Sequence, residues 1–233
     1  MNPFPTLLLT GFEPFGGDAF NPSGELAKGL HGMEFSCGMR VRGQVLPVSG
    51  EAAWSRMAAA VRRYRPQWVV AMGVSGRAEI SLETTAWNEA DFRIPDNKGW
   101  QPRGVPVLRR GPPHYQVDWP GVTAGLGDGG SGVEGIWAGE AGAGPVAAGS
   151  LPVRASTDPG RFVCNFLYYR LLHLTRNPMH PAHGRALFVH LPATAEMRRA
   201  GKESRYYHSM NNLQDRVREL LQTWTRRSGG PSE

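Results

Sequence analysis

The chain has 233 residues, of which 40% are hydrophobic and 20% charged, as in an ordinary globular protein. It has no apolar run near the ~20 residues that cross a bilayer, and its 2 cysteines are too few for a disulfide scaffold. The net charge of +6 is spread along the chain in short arginine pairs, which argues against a nucleic-acid partner because nucleic-acid binding needs clustered basic residues.

The first third of the chain alternates short apolar runs with helical segments. Asn21 is suited to cap the first helix with Pro22 at its first position, and Pro66 ends the second helix. This alternation predicts an α/β fold with a largely parallel sheet that helices cover. The predicted elements are strand 6–10, helix 21–30, strand 40–48, helix 51–64 and strand 67–72.

The middle of the chain has a different composition. Residues 121–149 contain 11 glycines among 29 residues, and such a segment has little apolar surface to offset its ordering entropy. We expect a flexible loop or degenerate insertion there and a disordered tail at 228–233, with residues 1–227 forming one domain. The elements predicted after the insertion are strand 150–154, helix 162–174, strand 185–191 and helix 211–226.

A cysteine at the start of a predicted helix is the first candidate for chemistry. Cys164 lies where unpaired backbone N–H groups favour a thiolate and an oxyanion. His190 ends the strand 185–191, and the sites of α/β sheets lie at the carboxyl ends of strands. The pair is therefore a candidate thiol-hydrolase dyad. The alternative is that Cys164 is a small buried apolar residue; Cys37 lies in a loop without such a context.

Two further segments carry candidate site residues. The segment 83–101 is rich in polar side chains, and we expect most of it to be a solvated loop, with Glu83 as a candidate to orient His190. The segment TGFEPFGG (10–17) follows the first strand. Its Phe12 and Phe15 either pack inward or line an apolar pocket.

Three other patterns do not indicate a site. The G-x-G-x-x-G match at 125–130 follows no predicted strand and opens no helix, which argues against dinucleotide binding. The segment 73–76 is one residue too short for a G-x-S-x-G nucleophile elbow. His173, His180 and His183 lie near prolines at a spacing that fits no compact metal site.

Several segments, taken in chain order, resemble segments of the pyroglutamyl peptidase I family. Its members are also called pyrrolidone-carboxylate peptidases and are cysteine peptidases. The most specific are TGFEPFGG and the segment that contains Cys164. The matching segments are TGFEPFGG (10–17), NPS (21–23), LPV (46–48), GVSG (73–76), ETTAWN (83–88), DFRIPDN (91–97), PGRFVCN (159–165) and FVHLP (188–192).

The resemblance implies an enzyme that removes N-terminal pyroglutamyl (5-oxoprolyl) residues from peptides through a thioester. It implies that Cys164 is the nucleophile, that His190 is the general base and acid, and that Glu83 orients the imidazole. It implies no metal or organic cofactor. The remaining implied roles are aromatic pocket walls for Phe12 and Phe15, pocket support for Asn21, a backbone contact to the lactam for Val163, and oxyanion contacts for Arg93 and the Cys164 N–H.

The sequence departs from the family pattern in four places, one of which is Arg161, where the family has a smaller residue. Thr84 follows the acidic residue where many members have arginine, and Val74 stands where many have a glutamine. After Tyr115 the glycine-rich segment replaces a helix that borders the site in the family. These departures leave two alternatives, a related thiol amidase of shifted specificity and a non-catalytic peptide-binding descendant.

We therefore expect a three-layer α/β/α fold with a mixed, largely parallel central sheet. We expect a cytoplasmic enzyme that acts on pyroglutamylated peptides and binds neither nucleic acid nor membranes, and the chain is a candidate homo-oligomer, as a dimer or tetramer.

Overall fold

The structure is a computed structural model, and it describes residues 4–117, 151–197 and 208–227. The glycine-rich segment 121–149 and the tail 228–233 lie outside the described residues, so the predictions made for them remain predictions. The interpretation of residues 1–227 as one domain also stays a prediction.

The described residues form eight strands, four helices and a short 3-10 helix at Ala195–Met197. The strands are β1 (Thr6–Phe12), β2 (Arg40–Leu46), β3 (Trp68–Val74), β4 (Ile80–Glu83), β5 (Thr85–Trp87), β6 (His114–Gln116), β7 (Val153–Ser156) and β8 (Ala186–Leu191). The helices are α1 (Pro22–Gly29), α2 (Gly50–Tyr64), α3 (Val163–Thr175) and α4 (Met210–Arg227).

Six of the strands form one mixed sheet with the order β2-β1-β3-β8-β4-β7. The first four of these strands are parallel. Strand β4 pairs antiparallel with β8 and parallel with β7, while β5 and β6 form a separate antiparallel pair. The prediction of a mixed, largely parallel sheet is confirmed.

Helices cover both faces of the sheet, which confirms the three layers. Alternate residues of β1 enter different cores, with Leu7 and Leu9 on one face and Leu8 on the other. The first core holds apolar residues of α1 and α4, and the second holds those of α2 and α3. The apolar face predicted for α4 is buried in the first core: Leu213, Val217, Leu220, Leu221 and Trp224.

The boundaries of most predicted elements agree with the structure to within two residues. Asn21 caps α1 as predicted, since its side chain accepts a hydrogen bond from the N–H of Ser23. The strand predicted at 150–154 is displaced, because β7 runs from Val153 to Ser156. Strands β4, β5 and β6 are absent from the elements that the sequence predicts.

Close packing between β1 and α1 fixes the loop that follows β1. A Cβ atom on Gly11 would overlap the backbone carbonyl of Ser23, so only glycine allows this approach. The hydroxyl of Ser23 accepts a hydrogen bond from the N–H of Phe12 at 3.0 Å. The side-chain amide of Asn21 donates to the carbonyl of Glu13 at 2.9 Å. The loop therefore leaves the carboxyl end of β1 in a fixed direction.

None of the described helices is long and apolar enough to cross a membrane.

Candidate active site

The thiol of Cys164 lies at the amino end of α3, which confirms the prediction of a helix start. The helix begins at Val163, and the first backbone bond of its ladder runs from the N–H of Phe166 to the carbonyl of Phe162 at 3.0 Å. The N–H groups of the first turn therefore have no partner within the helix. Their partial positive charge favours an anion beside Cys164.

The side chain of Asn165 fixes this helix end against β5. Its Oδ1 accepts from the N–H of Trp87 at 2.8 Å. Its Nδ2 donates to the carbonyls of Trp87 and Glu89 at 2.9 and 2.8 Å. Because Asn165 is fully buried and uses both ends of its amide, the residue next to Cys164 is held in one orientation.

A glycine lies directly beside the thiol. A Cβ atom on Gly73 would stand 2.9 Å from Sγ of Cys164 and 3.0 Å from the Phe188 ring. Gly73 pairs with His190 in the register of β3 and β8. The absence of a side chain at Gly73 thus allows the thiol to approach the end of β8.

His190 and Glu83 form a buried hydrogen-bonded pair across β4 and β8. Nδ1 of His190 donates to Oε1 of Glu83 at 2.7 Å, and the two residues are 5% and 0% exposed. With its proton on Nδ1, the imidazole presents Nε2 to the thiol. Burial lowers the pKa of His190, but hydrogen bonds and charge interactions with Cys164 and Glu83 outweigh burial and raise the pKa to about 9.

The charged side chains of segment 83–101 are exposed, as expected for most of this segment, except for two buried carboxylates. Glu83 ends β4, and Asp96 is 5% exposed. Asp96 accepts hydrogen bonds from the N–H groups of Gly50, Lys98 and Trp100 at 2.8–3.1 Å. Hydrogen bonds replace the water that Asp96 and Oε1 of Glu83 lose on burial.

A cavity of about 290 Å³ opens beside Cys164. Aromatic rings form part of its wall, since the centroids of Phe15 and Phe162 lie 5.3 Å apart and Phe162 packs on Phe92 at 4.7 Å. The cavity is mainly apolar. It is lined by Phe12, Phe15, Asp18, Phe20, Asn21, Val48, Val74, Phe162, Val163, Cys164 and Met197.

The structure brings most of the predicted site residues together. The cavity lining includes all four residues predicted for the pocket, namely Phe12, Phe15, Asn21 and Val163. Arg93 is placed differently: it is exposed and is not among the lining residues. The roles predicted for these residues stay predictions.

Several residues at the site are missed by the sequence reasoning. Phe162 adjoins Val163 and Cys164 in the chain, so its position is a usable signal. Val48 ends a predicted strand and Val74 follows one, and the sites of α/β sheets lie at such strand ends. Arg77, which lies 2.8 Å from Oε1 of Glu83, gives no local signal because its partner is on another element.

The three histidines weighed as metal ligands have other partners. Nδ1 of His173 lies 2.7 Å from the Tyr115 hydroxyl, and Nδ1 of His183 lies 3.0 Å from the Thr175 carbonyl. Nδ1 of His180 accepts from the N–H of Ala182 at 3.1 Å. Within residues 4–117, 151–197 and 208–227, no group of three or more His, Cys, Asp or Glu residues is placed to hold a metal ion.

Residues 6–124 match the sequence model of a family described as pyroglutamyl peptidase. A pyrrolidone-carboxylate peptidase of Chromobacterium violaceum is 38% identical, over 82% of this chain and 79% of that protein. One from Gloeobacter violaceus is also 38% identical, over 85% of this chain and 87% of that protein. The chain belongs to the pyroglutamyl peptidase family.

Solved structures of pyrrolidone carboxyl peptidases have the same fold as this family member. The protein from Thermococcus litoralis superposes with a TM-score of 0.77 and 26% identity, over 95% of this chain and 94% of that one. A mutant pyrrolidone carboxyl peptidase from Pyrococcus furiosus superposes with a TM-score of 0.79 and 25% identity, over 96% of this chain and 99% of that one.

The pyroglutamyl peptidase match at 6–124 contains Glu83 and the cavity residues Phe12, Phe15 and Asn21. Cys164 and His190 lie beyond it in the chain. The pairing of Glu83 with His190 therefore joins the matched part of the chain to the part that carries the thiol.

Proposed function

We propose that this protein is a cysteine omega-peptidase that removes N-terminal pyroglutamyl residues from peptides, with Cys164, His190 and Glu83 as its catalytic triad. Membership of the pyroglutamyl peptidase family supports the reaction. The observation that carries the proposal is the hydrogen-bonded series Glu83–His190–Cys164 at a helix amino end, beside a small apolar cavity.

The chemistry proceeds in two halves through a thioester. Nε2 of His190 takes the proton of Cys164, and the thiolate attacks the carbonyl carbon that links the lactam ring to the next residue. The imidazolium then gives its proton to the leaving amine as the C–N bond breaks. Water attacks the thioester while His190 accepts its proton, and 5-oxoproline leaves as the thiol is restored.

Glu83 orients the imidazole of His190 in both halves of the reaction. It holds the proton on Nδ1, so Nε2 remains the atom that exchanges protons with Cys164 and the leaving amine. Its negative charge stabilises the imidazolium that forms during acylation. Because Glu83 is fully buried, water weakens this interaction little.

The amino end of α3 supplies the oxyanion environment. The backbone N–H of Cys164 is the proposed donor to the charge that develops on the attacked carbonyl oxygen, as in other oxyanion holes. The backbone of Val163 is the proposed hydrogen-bonding partner of the lactam. Arg93 is proposed as a further contributor to the oxyanion, which requires its exposed side chain to turn toward bound substrate.

The cavity suits the chemistry of a pyroglutamyl residue. The lactam ring is neutral and has no free amine, so it fits apolar walls with a few polar contacts. A volume of about 290 Å³ is at the lower end of the range for ligand pockets. It favours one small ring, bounded by Phe12, Phe15 and Phe162, over an extended peptide.

The proposal also covers the cellular compartment of the protein and its oligomeric state. Both cysteines are free, and a nucleophilic thiol works only when it is kept reduced. We therefore propose a cytoplasmic location. A homodimer or homotetramer remains the prediction for assembly.

The test is hydrolysis of a pyroglutamyl-linked chromogenic amide by the reduced protein. Cys164→Ser and a prolyl-linked amide are the controls. We expect release by the wild type alone, and only from the pyroglutamyl compound.

Two results would contradict the proposal. No release together with rapid alkylation of Cys164 by iodoacetamide would indicate a thiol amidase with another substrate. No release together with slow, equal alkylation of Cys164 and Cys37 would indicate a non-catalytic descendant.

A further inference from the structure

Arg77 joins three separate parts of the active site through its side chain. Its Nη1 donates to Oε1 of Glu83 at 2.8 Å and to Oγ of Ser156 at 3.0 Å. Its Nη2 donates to the backbone carbonyl of Asp158 at 2.7 Å. The loop after β3, the end of β4 and the segment after β7 thus meet at one guanidinium.

These contacts converge on the oxygen that orients His190. Oε1 of Glu83 accepts from both Arg77 and His190. Oε2 is buried and has no hydrogen-bond partner among the described residues. Arg77 is therefore the second of two groups that hold this carboxylate, and it is the one that opposes rotation of the carboxylate away from His190.

Arg77 also reaches the chain that leads into the nucleophile. Asp158, whose carbonyl it binds, is followed by a turn in which the N–H of Gly160 donates to Oδ1 of Asp158 at 3.1 Å. Arg161 donates to the same carboxylate at 3.1 Å. Cys164 lies in the first turn of α3, which begins at Val163, so Arg77 relates the position of the thiol to that of the imidazole.

We propose that Arg77 is a positioning residue for the peptidase reaction: its guanidinium locks the Glu83 carboxylate against His190 and ties it to the segment that precedes Cys164. The inference rests on the proposed function for its kinetic readout. Arg77 does not line the cavity, so it is assigned no part in binding the lactam ring.

The charge of Arg77 makes the proposal testable by pH. The groups that face His190 are Cys164 from α3 and Glu83 from β4, and Tyr168 from α3 donates its hydroxyl to the Glu83 carbonyl at 2.7 Å. Burial raises the pKa of Tyr168 well above its usual value, so it stays neutral. Arg77 supplies a positive charge directly beside the pair.

Removing a cation raises the pKa of each neighbouring group, because the cation stabilises the anionic form of an acid and repels the protonated form of a base. Arg77→Gln should therefore move the pH–rate profile to higher pH. Since the Arg77 side chain is 33% exposed, we expect a shift of about half a pH unit. A purely structural role would lower activity without moving the profile.

The experiment compares wild type, Arg77→Gln and Arg77→Lys. For Arg77→Gln we expect kcat on the pyroglutamyl amide to fall by about tenfold or more, with KM nearly unchanged and the profile shifted upward. Arg77→Lys keeps the charge but not the forked geometry. It should keep the wild-type profile while kcat falls.

Alkylation of Cys164 by iodoacetamide, followed by mass spectrometry as a function of pH, gives a second readout that needs no substrate. The upward shift in Arg77→Gln should appear there too. If wild type does not cleave the pyroglutamyl amide, the proposed function fails, while the alkylation profile still tests Arg77.

Arg218→Gln is the matched control, since Arg218 forms an exposed ion pair with Asp215 at 3.0 Å. It should match wild type in every readout.

If Arg77→Gln does not fold, as judged by urea unfolding, Ser156→Ala is the alternative variant. It removes one acceptor of Arg77 and should lower kcat by a smaller factor. Wild-type kcat and profile in Arg77→Gln would overturn the proposal, and so would equal loss in Arg77→Gln and Arg77→Lys without a shift.

Discussion

Gly73 makes room for the thiol of Cys164. A Cβ atom on Gly73 would stand 2.9 Å from Sγ, which is closer than real Cβ contacts allow. The same atom would stand 3.0 Å from the fully buried ring of Phe188. The ring is fixed by packing, whereas the thiol rotates about one bond, so an added methyl group displaces the thiol first.

Gly73→Ala should therefore act on catalysis more than on stability. We expect kcat on a pyroglutamyl amide to fall by about 10- to 100-fold, because small misplacements of a reacting group have costs of this size. KM should change little. The rate of Cys164 alkylation should fall in parallel with kcat.

Gly76→Ala is the matched control, because a Cβ atom there meets nothing within 4 Å. It should behave as wild type in both assays. Normal kcat in Gly73→Ala would show that the thiol does not depend on this space.

Glu83→Gln should impair the reaction and move its pH dependence. Glutamine keeps the shape of the side chain but removes the charge that helps to raise the pKa of His190 to about 9. The pKa of His190 should fall, and the alkaline limb of the pH–rate profile should move to lower pH. We expect kcat to fall by roughly 10²- to 10⁴-fold, as for other replacements of a triad carboxylate.

The control for this variant is Glu34→Gln, since Glu34 is exposed and pairs with Arg40 at 3.3 Å. Its profile should match that of wild type. An alkaline limb that stays in place in Glu83→Gln would mean that Glu83 does not set the pKa of His190.

Local patterns in the sequence are enough to predict the alternating elements of the fold. Apolar runs and helix caps mark β1, α1, β2, α2 and β3. Strands β4, β5 and β6 escape prediction because each has only three or four residues. Their hydrogen bonds come from distant segments, so local periodicity does not reveal them.

Some residues of the candidate site can be predicted from their position in the chain, and others cannot. Cys164 and His190 stand at the start of a helix and the end of a strand, which are positions that a chain pattern can indicate. Glu83 gains its role from pairing with a residue 107 positions away, and the family resemblance is what singles it out as the third member of a triad. The contacts of Arg77 with Glu83 and of Gly73 with Cys164 join distant parts of the chain, so local patterns do not reveal them, although Gly73 lies in the segment GVSG that resembles the family.

Phe15→Ala should weaken substrate binding. Its half-buried ring packs against Phe162 at the edge of the cavity. Loss of the ring removes apolar contact with the lactam in the ground state and the transition state alike. We expect KM for the pyroglutamyl amide to rise by about tenfold or more, with a smaller change in kcat.

Phe4→Ala is a suitable control, since Phe4 is exposed and its ring contacts Arg40. Its kinetic constants should equal those of wild type. A fall in kcat with unchanged KM in Phe15→Ala would instead place Phe15 in the positioning of the reacting groups.

The pH dependence of folding gives a test that requires no substrate. The pKa of His190 is raised from 6.5 to about 9 in the folded chain, so the folded state holds this proton more tightly than the unfolded state. The resulting stabilisation is fully present below pH 6.5 and is lost as pH rises through about 9. Between these pH values the free energy of unfolding should therefore fall more in wild type than in His190→Gln, by roughly 1–3 kcal/mol.

Urea unfolding at pH 6 and pH 9.5 measures this difference, and His114→Gln is the control because His114 is exposed. Equal losses in wild type and His190→Gln would contradict the raised pKa of His190.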